Sequence, residues 1–473
     1  MKLTRPNFPR FDWNRTITGA GPALLMVFYI ILATLTDLRT AVAELTGLTG
    51  VIVILLAFIL YRGEKQAPEW PIWLILIVAL LIRLPFLIRP PELSDDIYRY
   101  LWDGLQLLSG KNPYALAPAE IPAATDPLAS IRNAINHPHL VTIYGPAAEL
   151  FFALASLLGG TITGFKMALT LVDLGCCYLL CRLLGRLRIP LWKSVLYAWH
   201  PMPVVEIAGS GHIEGVGLFF LLAALLSLTK NYTPAKAARR ENSYWAAGLF
   251  TSCSVLVKLF PAVFLPGILL LSTQQKRSGT ITFTTSFLLI SIALIVPFYP
   301  EISNGLQTLH TYGATWEFSS FFFRSVRSLL GSSLIARLCV GLLFLLCAGR
   351  LYFRLYHFLK TCPEQARPLA ILKTFYALSL LFLFLTPTLH PWYGLSLVLL
   401  LPFAASPCGL VLSWSLFLSY QVMISYSLLE QWQENDGVNA LIWLGPLTAL
   451  GLQWINRQRK TLFDQTKKDT LPG

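Results

Sequence analysis

Apolar residues gather in fifteen runs along the chain, near 20–36, 46–61, 71–88, 144–158, 163–184, 190–208, 213–229, 244–257, 260–272, 281–299, 334–356, 370–387, 390–405, 408–428 and 438–456. A run of about 20 apolar residues in helical conformation crosses a bilayer. The pattern therefore predicts an all-α polytopic membrane protein. Three runs differ from the rest. The 144–158 run is short, holds Glu149 and ends in Gly159-Gly160, and 244–257 and 260–272 are short segments on either side of Lys258.

Charge decides which runs cross. Basic residues collect in cytoplasmic loops. Lys2, Arg5, Arg10 and Arg15 precede the first run, which puts the N-terminus inside. Three crossings then put Arg62 and Lys65 inside and 90–143 outside. If 144–158 also crossed, the basic cluster Arg182, Arg186, Arg188 and Lys193 would fall outside. The conflict disappears if 144–158 lies on the outer face. The prediction is then about 14 spans with both termini cytoplasmic, 26 of the 37 basic residues inside and 11 outside. The chain divides into an N-terminal three-span segment 1–89, an extracytoplasmic loop 90–162, and a remaining bundle 163–473 with an outer loop 300–333. The pair 244–272 reads equally as a crossing hairpin or as a re-entrant pair.

Composition agrees. Of 473 residues, 55% are hydrophobic and 13% charged, against about a quarter charged in soluble proteins. That excludes a soluble enzyme. The net charge of +13 follows from basic cytoplasmic loops and needs no nucleic acid. None of the eight cysteines forms a CxxC pair, and they read as small buried hydrophobes. The N-terminal stretch is too long and too polar for a signal peptide.

The first outer loop carries the candidate chemistry. It opens PPELSDDIYRYLWDGLQLLSGKNPYALAP. Pro90-Pro91 stops the third span and Ser94 is a good N-cap. Ile97, Leu101, Leu105 and Leu108 make one helical stripe, with Arg99, Asp103 and Gln106 off it. This predicts an amphipathic helix lying flat on the membrane. Asp95 and Asp96 sit in its first turn. They read either as acids favourable to the helix dipole or as a general base at the headgroup level.

SDDIYRYLWDG, then NPY and AP, then NHPHLVTIYGP, resemble the GT-C type of integral-membrane glycosyltransferases. The branch is the bacterial polyprenol-phosphomannose-dependent mannosyltransferase-like group, with the GPI mannosyltransferase catalytic subunit more distant. GHIEG at 211–215 and LHPWY at 389–393 extend the resemblance loosely. It implies a GT-C-like bundle in a bacterial plasma membrane, with the active site on the extracytoplasmic face. There a sugar, mannose above all, would pass from a polyprenyl-phosphate donor to a lipid or glycan acceptor with inversion. Asp95 matches the catalytic acid and Asp96 is its neighbour. The family also places an outer-face helix after this motif.

Other residues have two readings each. His137, His139 and Tyr144 bind phosphate or sugar, or are loop residues. His212 and Glu214 belong to the site, while the glycines around them also suit helix packing. His390, Trp392 and Tyr393 form a site wall or an interfacial aromatic belt. Arg83, inside the third run, is costly there unless it faces a cavity or snorkels, and it is a candidate for the carrier phosphate. Arg89, Arg99, Lys258 and Arg324 are rivals for that role. Asp103, Asp173 and Glu206 read as structural. No His/Cys cluster has zinc spacing. Asp95, Asp96 and Glu214 offer only oxygens to a divalent cation, so no cofactor is expected. The rival function is a transporter or flippase of a lipid-linked sugar, suggested by the half-length helices near Lys258.

Overall fold

The computed structural model describes residues 13–122, 128–229, 238–273 and 277–469. The basic residues Lys2, Arg5, Arg10, Lys230, Lys236 and Lys276, on which part of the charge argument rests, lie outside them. Among the described residues the chain is helical, and its one β feature is a parallel bridge between Phe318 and Thr388.

Every predicted crossing except 190–208 holds a helix of eight residues or more. The N-terminal segment contains α1 (Trp13–Thr34), α2 (Val42–Gln66) and α3 (Ile72–Leu87). The first outer loop carries α4 (Asp96–Leu108) and α5 (Pro146–Ser156). Then follow α6 (Ile162–Arg186), α7 (Glu214–Thr229), α8 (Ala238–Val257), α9 (Leu265–Thr273) and α10 (Arg277–Ile295). The loop near 300–333 forms α11 (Ile302–Thr315) and α12 (Phe321–Leu330). The C-terminal part contains α13 (Ser333–Thr361), α14 (Arg367–Leu385), α15 (Leu395–Ala404), α16 (Pro407–Ser415), α17 (Val422–Leu429) and α18 (Asp436–Asp469). Among the described residues seven helical stretches are long and apolar enough to cross a membrane, and six more are apolar but shorter.

Two runs depart from expectation. The 190–208 run is a series of short turns, Leu191–Ser194, Val195–Ala198, Pro201–Pro203 and a π-helix Val204–Gly209. Pro201 and Pro203 remove backbone donors and prevent one continuous helix. The 244–257 run is no half-helix, because α8 begins at Ala238 and reaches 20 residues.

Local chemistry sets the helix ends. The Thr161 hydroxyl accepts from the Gly164 N–H at the start of α6, and Ser332 and Ser406 cap α13 and α16 in the same way. Gly145-Pro146 opens α5 with proline in the first turn, where its missing donor costs nothing.

Lys193 Nζ lies 2.6 Å from Glu64 Oε1, so the end of α2 and the 190–194 turn share one end of the bundle. At 11 residues α5 falls short of the roughly 20 that cross a bilayer. Instead α5 packs along α4. The approach is close at Gly104, where a Cβ would collide with the Phe152 carbonyl. Glu149 faces neither water nor the site. It is fully buried, accepts from the Thr142 hydroxyl at 2.8 Å, and stands beside Asp103 and Arg99.

The polar face of α4 is buried too, against the 140–149 segment. Arg99 is 7% exposed, Asp103 0% and Gln106 3%. Arg99 Nε pairs with both Asp103 oxygens and Nη1 donates to the Leu140 carbonyl. A flat helix wetting its polar side was the expectation. The α5 segment covers that side instead. Of the cysteines, Cys176, Cys177, Cys181 and Cys408 are buried, while Cys339 is exposed on a helix face that fits lipid.

Candidate active site

A cavity of 1290 Å³ opens at one end of the bundle. Its wall comes from the start of α4, the 136–146 segment, the N-terminus of α7, the α8–α9 turn, α11, and the segments near 390 and 420. Apart from the segment near 420, which lies within the 408–428 run, these are segments that the charge argument assigned to a single face.

Asp95 and Asp96 stand at the wall, but differently. Asp95 is the N-cap residue of α4, exposed, and its carboxylate has no hydrogen-bond partner among the described residues. Partial desolvation in the cavity mouth, then the like charge of Asp96, raise its pKa above the ordinary carboxylate value, with Arg39 opposing. Asp96 turns inward, its side chain 25% exposed. Asn136 Nδ2 donates to its Oδ1 at 3.2 Å and the Tyr100 hydroxyl to its Oδ2 at 3.4 Å. His212 Nδ1 lies 3.9 Å from Oδ2. Ser94 contributes as its position suggested, accepting from the Asp96 N–H at 3.3 Å.

Around the acids the wall is aromatic. The Tyr144 hydroxyl donates to that of Tyr100 at 3.1 Å. Trp392 is sandwiched between two imidazoles, with centroids 3.8 Å from His212 and 4.2 Å from His390. Tyr393 shares a 2.6 Å hydroxyl contact with Tyr312. Lys258 Nζ lies 5.2 Å over the Tyr393 ring and donates to Glu214 Oε1. His137 sits against Trp316, centroids 5.0 Å apart. Burial, then His139, lower its pKa, while Asp96 raises it.

Of the predicted residues, Asp95, Asp96, Arg99, His137, Tyr144, Glu214, Lys258, His390, Trp392 and Tyr393 line the cavity. Three do not. His139 is exposed outside the wall. His212 lies directly behind the wall, 0% exposed. Arg83 is the clearest correction. It is fully buried, its Nε is 2.7 Å from Asp173 Oδ2, and its Nη1 donates to the Ala79 and Ala198 carbonyls. It is an internal countercharge with no access to a ligand. Arg89 and Arg324 are likewise consumed, by the Ala33 and Leu35 carbonyls with Glu92, and by Glu434 with Asp436. Among the described residues no three His, Cys, Asp or Glu side chains are grouped to hold a metal.

Sequence reasoning passed over Asn136, Tyr312 and Tyr420. Asn136 sits in the quoted NHPH string and was readable as a carboxylate partner. The two tyrosines lie in segments without a motif.

The profile of the family described as "Alpha-(1->6)-mannopyranosyltransferase, N-terminal domain" matches residues 13–274, more than half of the sequence. The chain belongs to this family. It is thus an integral-membrane protein of glycosyltransferase type, in agreement with the GT-C mannosyltransferase-like resemblance of the SDDIYRYLWDG segment. The matched region contains both acids, Glu214 and Lys258. No curated protein is similar enough to match. One similar solved structure is ArnT from Cupriavidus metallidurans bound to undecaprenyl phosphate. It is 13% identical, with 82% of this chain and 72% of that chain covered, at a TM-score of 0.45.

Proposed function

We propose that the protein transfers a mannosyl residue from a polyprenyl-phosphate carrier to a hydroxyl of a mannoside-bearing lipid or glycan, on the extracytoplasmic face. The observation that carries this reading is an inward carboxylate, Asp96, on the wall of a large cavity in a mannosyltransferase-family bundle. The cavity is polar near Asp96 and apolar along Val263, Ile295, Val340 and Phe344, which suits a charged head joined to a hydrocarbon tail.

In this reading the acceptor oxygen attacks the anomeric carbon while its proton passes to an Asp carboxylate. The bond between the anomeric carbon and the bridging phosphate oxygen breaks, and the polyprenyl phosphate leaves with its electron pair. One displacement inverts the anomeric carbon, so a β-linked donor gives an α-mannoside. Asp95 is the acid that matches the motif. Asp96 is the better-held base, because Asn136 and Tyr100 fix its oxygens while Asp95 turns to the mouth. A positioned base contributes about 100 to 10,000-fold. Lys258 and Arg99 supply positive charge for the leaving phosphate. Arg99 Nη2 is buried without a partner.

The test uses purified protein in lipid nanodiscs with radiolabelled polyprenyl-phosphomannose and octyl α-D-mannoside. An α-linked dimannoside is expected, and it should persist in excess EDTA. Asp96→Asn should lose at least about 100-fold and Asp95→Asn less. The reverse ranking would make Asp95 the base, and full activity of both would defeat the mechanism. Movement of the intact sugar lipid across vesicles without transfer would favour the transporter reading.

A further inference from the structure

His212 is a buried imidazole between two carboxyl groups. Its Nδ1 faces Asp96 Oδ2 at 3.9 Å and its Nε2 faces Glu206 Oε2 at 3.5 Å. Neither ring nitrogen has a hydrogen-bond partner among the described residues. An unmade hydrogen bond on a buried polar group is costly, so a ring with two open nitrogens needs a reason.

The backbone is shaped to hold it there. The π-helix Val204–Gly209 carries Glu206, and the His212 N–H donates to the Glu206 carbonyl at 2.9 Å. π-turns recur at functional sites. Gly211 has φ +83°, and a Cβ there would collide with Ile97 of α4. Only glycine lets this turn approach α4, and that approach brings His212 to Asp96. Behind it, the Tyr420 hydroxyl donates to both Glu206 oxygens at 3.0 and 2.9 Å.

We infer that His212 is a positioning residue for Asp96, oriented in turn by Glu206 and Tyr420. The inference rests on Asp96 being the base. The proton order follows from hydrogen-bond complementarity. Asp96 must be ionised to accept a proton, so the nitrogen facing it must carry hydrogen. Burial, with Lys258 and His390 nearby, lowers the His212 pKa far below its ordinary value and keeps the ring neutral. A neutral ring has one N–H. It is therefore Nδ1–H toward Asp96, and the bare Nε2 faces Glu206 in its protonated form, the only form of a carboxyl group that can donate to it. The 3.9 Å contact closes to hydrogen-bond length when substrate fills the cavity, as catalytic contacts do. The donated bond stabilises the carboxylate and fixes which oxygen meets the acceptor. The groups facing His212 that carry or change charge are Asp96, Glu206, Glu214, Lys258, His390 and Tyr420.

A spectroscopic test and a kinetic one apply. With ¹⁵N-histidine in the full chain, the signal lost in His212→Phe should be that of an Nδ1-protonated neutral ring. An Nε2-protonated ring would overturn the assignment. The phenyl ring keeps the stack on Trp392 and removes both nitrogens. In the mannoside assay it should cut kcat at least about 10-fold and change KM little. It should also move the acid limb of kcat/KM up by about one pH unit, because a lost donor lets the carboxylate protonate sooner. His212→Gln, which restores a donor, should recover most of both. Glu206→Leu should behave like His212→Phe, while Glu206→Gln, whose amide still donates to Nε2, should be mild. Lost rate in His212→Phe with an unmoved limb, or no rescue by Gln, means that the ring only supports packing. If Asp96→Asn is active, the base assignment fails instead. If His212→Phe does not fold, the tautomer measured by comparison with His212→Gln decides.

Discussion

Replacing Arg83 with methionine separates two roles that sequence could not. A ligand for phosphate would lose activity and leave stability intact. The structure predicts the opposite order. Arg83 and Asp173 are both 0% exposed and 2.7 Å apart. Without Arg83, the Asp173 carboxylate keeps only the Tyr197 hydroxyl, at 2.6 Å, and the Ala198 carbonyl loses its guanidinium donor. Removing one partner of a buried pair costs about 3–5 kcal/mol, because the other charge is stranded. At about 2 °C per kcal/mol for larger proteins, the thermal midpoint should fall by roughly 6–10 °C. Intrinsic tryptophan fluorescence of the detergent-solubilised protein measures it. Adding Asp173→Leu should restore most of the loss, since a well-packed apolar pair is often as stable as the ionic one. An unchanged midpoint in Arg83→Met with abolished transfer would refute this reasoning and return Arg83 to the ligand.

Three further outcomes are expected. Gly104→Ala should destabilise by about 1–3 kcal/mol, read by the same thermal scan, because its Cβ has no room beside Phe152 and Ser156. Single cysteines at Thr161 and Lys193, in a background lacking the native eight, should be labelled and protected respectively by an impermeant thiol reagent on intact cells. The reverse would make α5 a crossing helix. Asp95→Asn should not lower the thermal midpoint at neutral pH. The folded pKa of Asp95 is raised, so its ionised form disfavours the fold once pH rises past about 3.9. Any gain from asparagine should therefore vanish as pH falls through that value, and a midpoint loss at neutral pH would contradict it.

The acid pair at the cavity wall, the α4 stripe and the short α5 helix were legible because each is local. A stripe needs one helix and a basic cluster needs one loop. Arg83 was misread because its partner is 90 residues away, and a lone arginine in an apolar run carries no mark of what it faces. Arg99 and Asp103 looked solvated because periodicity shows which residues share a face, not what covers it. Here a segment 40 residues on does so. Glu206 was weighed as structural, but its link to Tyr420, 214 residues later, was beyond sequence reading. His212 was singled out, yet its place behind Trp392 depends on two distant turns meeting.

The sequence separation of these partners bears on how the protein is made. Chains enter the membrane N-terminal part first. The costly charges of the stretch up to Lys258, Arg83 with Asp173, Arg99 with Asp103 and Lys258 with Glu214, find their partners within that stretch. Those spans can settle in lipid while synthesis continues. Tyr420, which holds Glu206, and Glu434, which accepts from the Ser319 N–H beside the cavity, arrive near the end. A nascent chain thus neutralises its buried charges well before the residues that complete the Glu206 and Ser319 contacts beside the cavity are made.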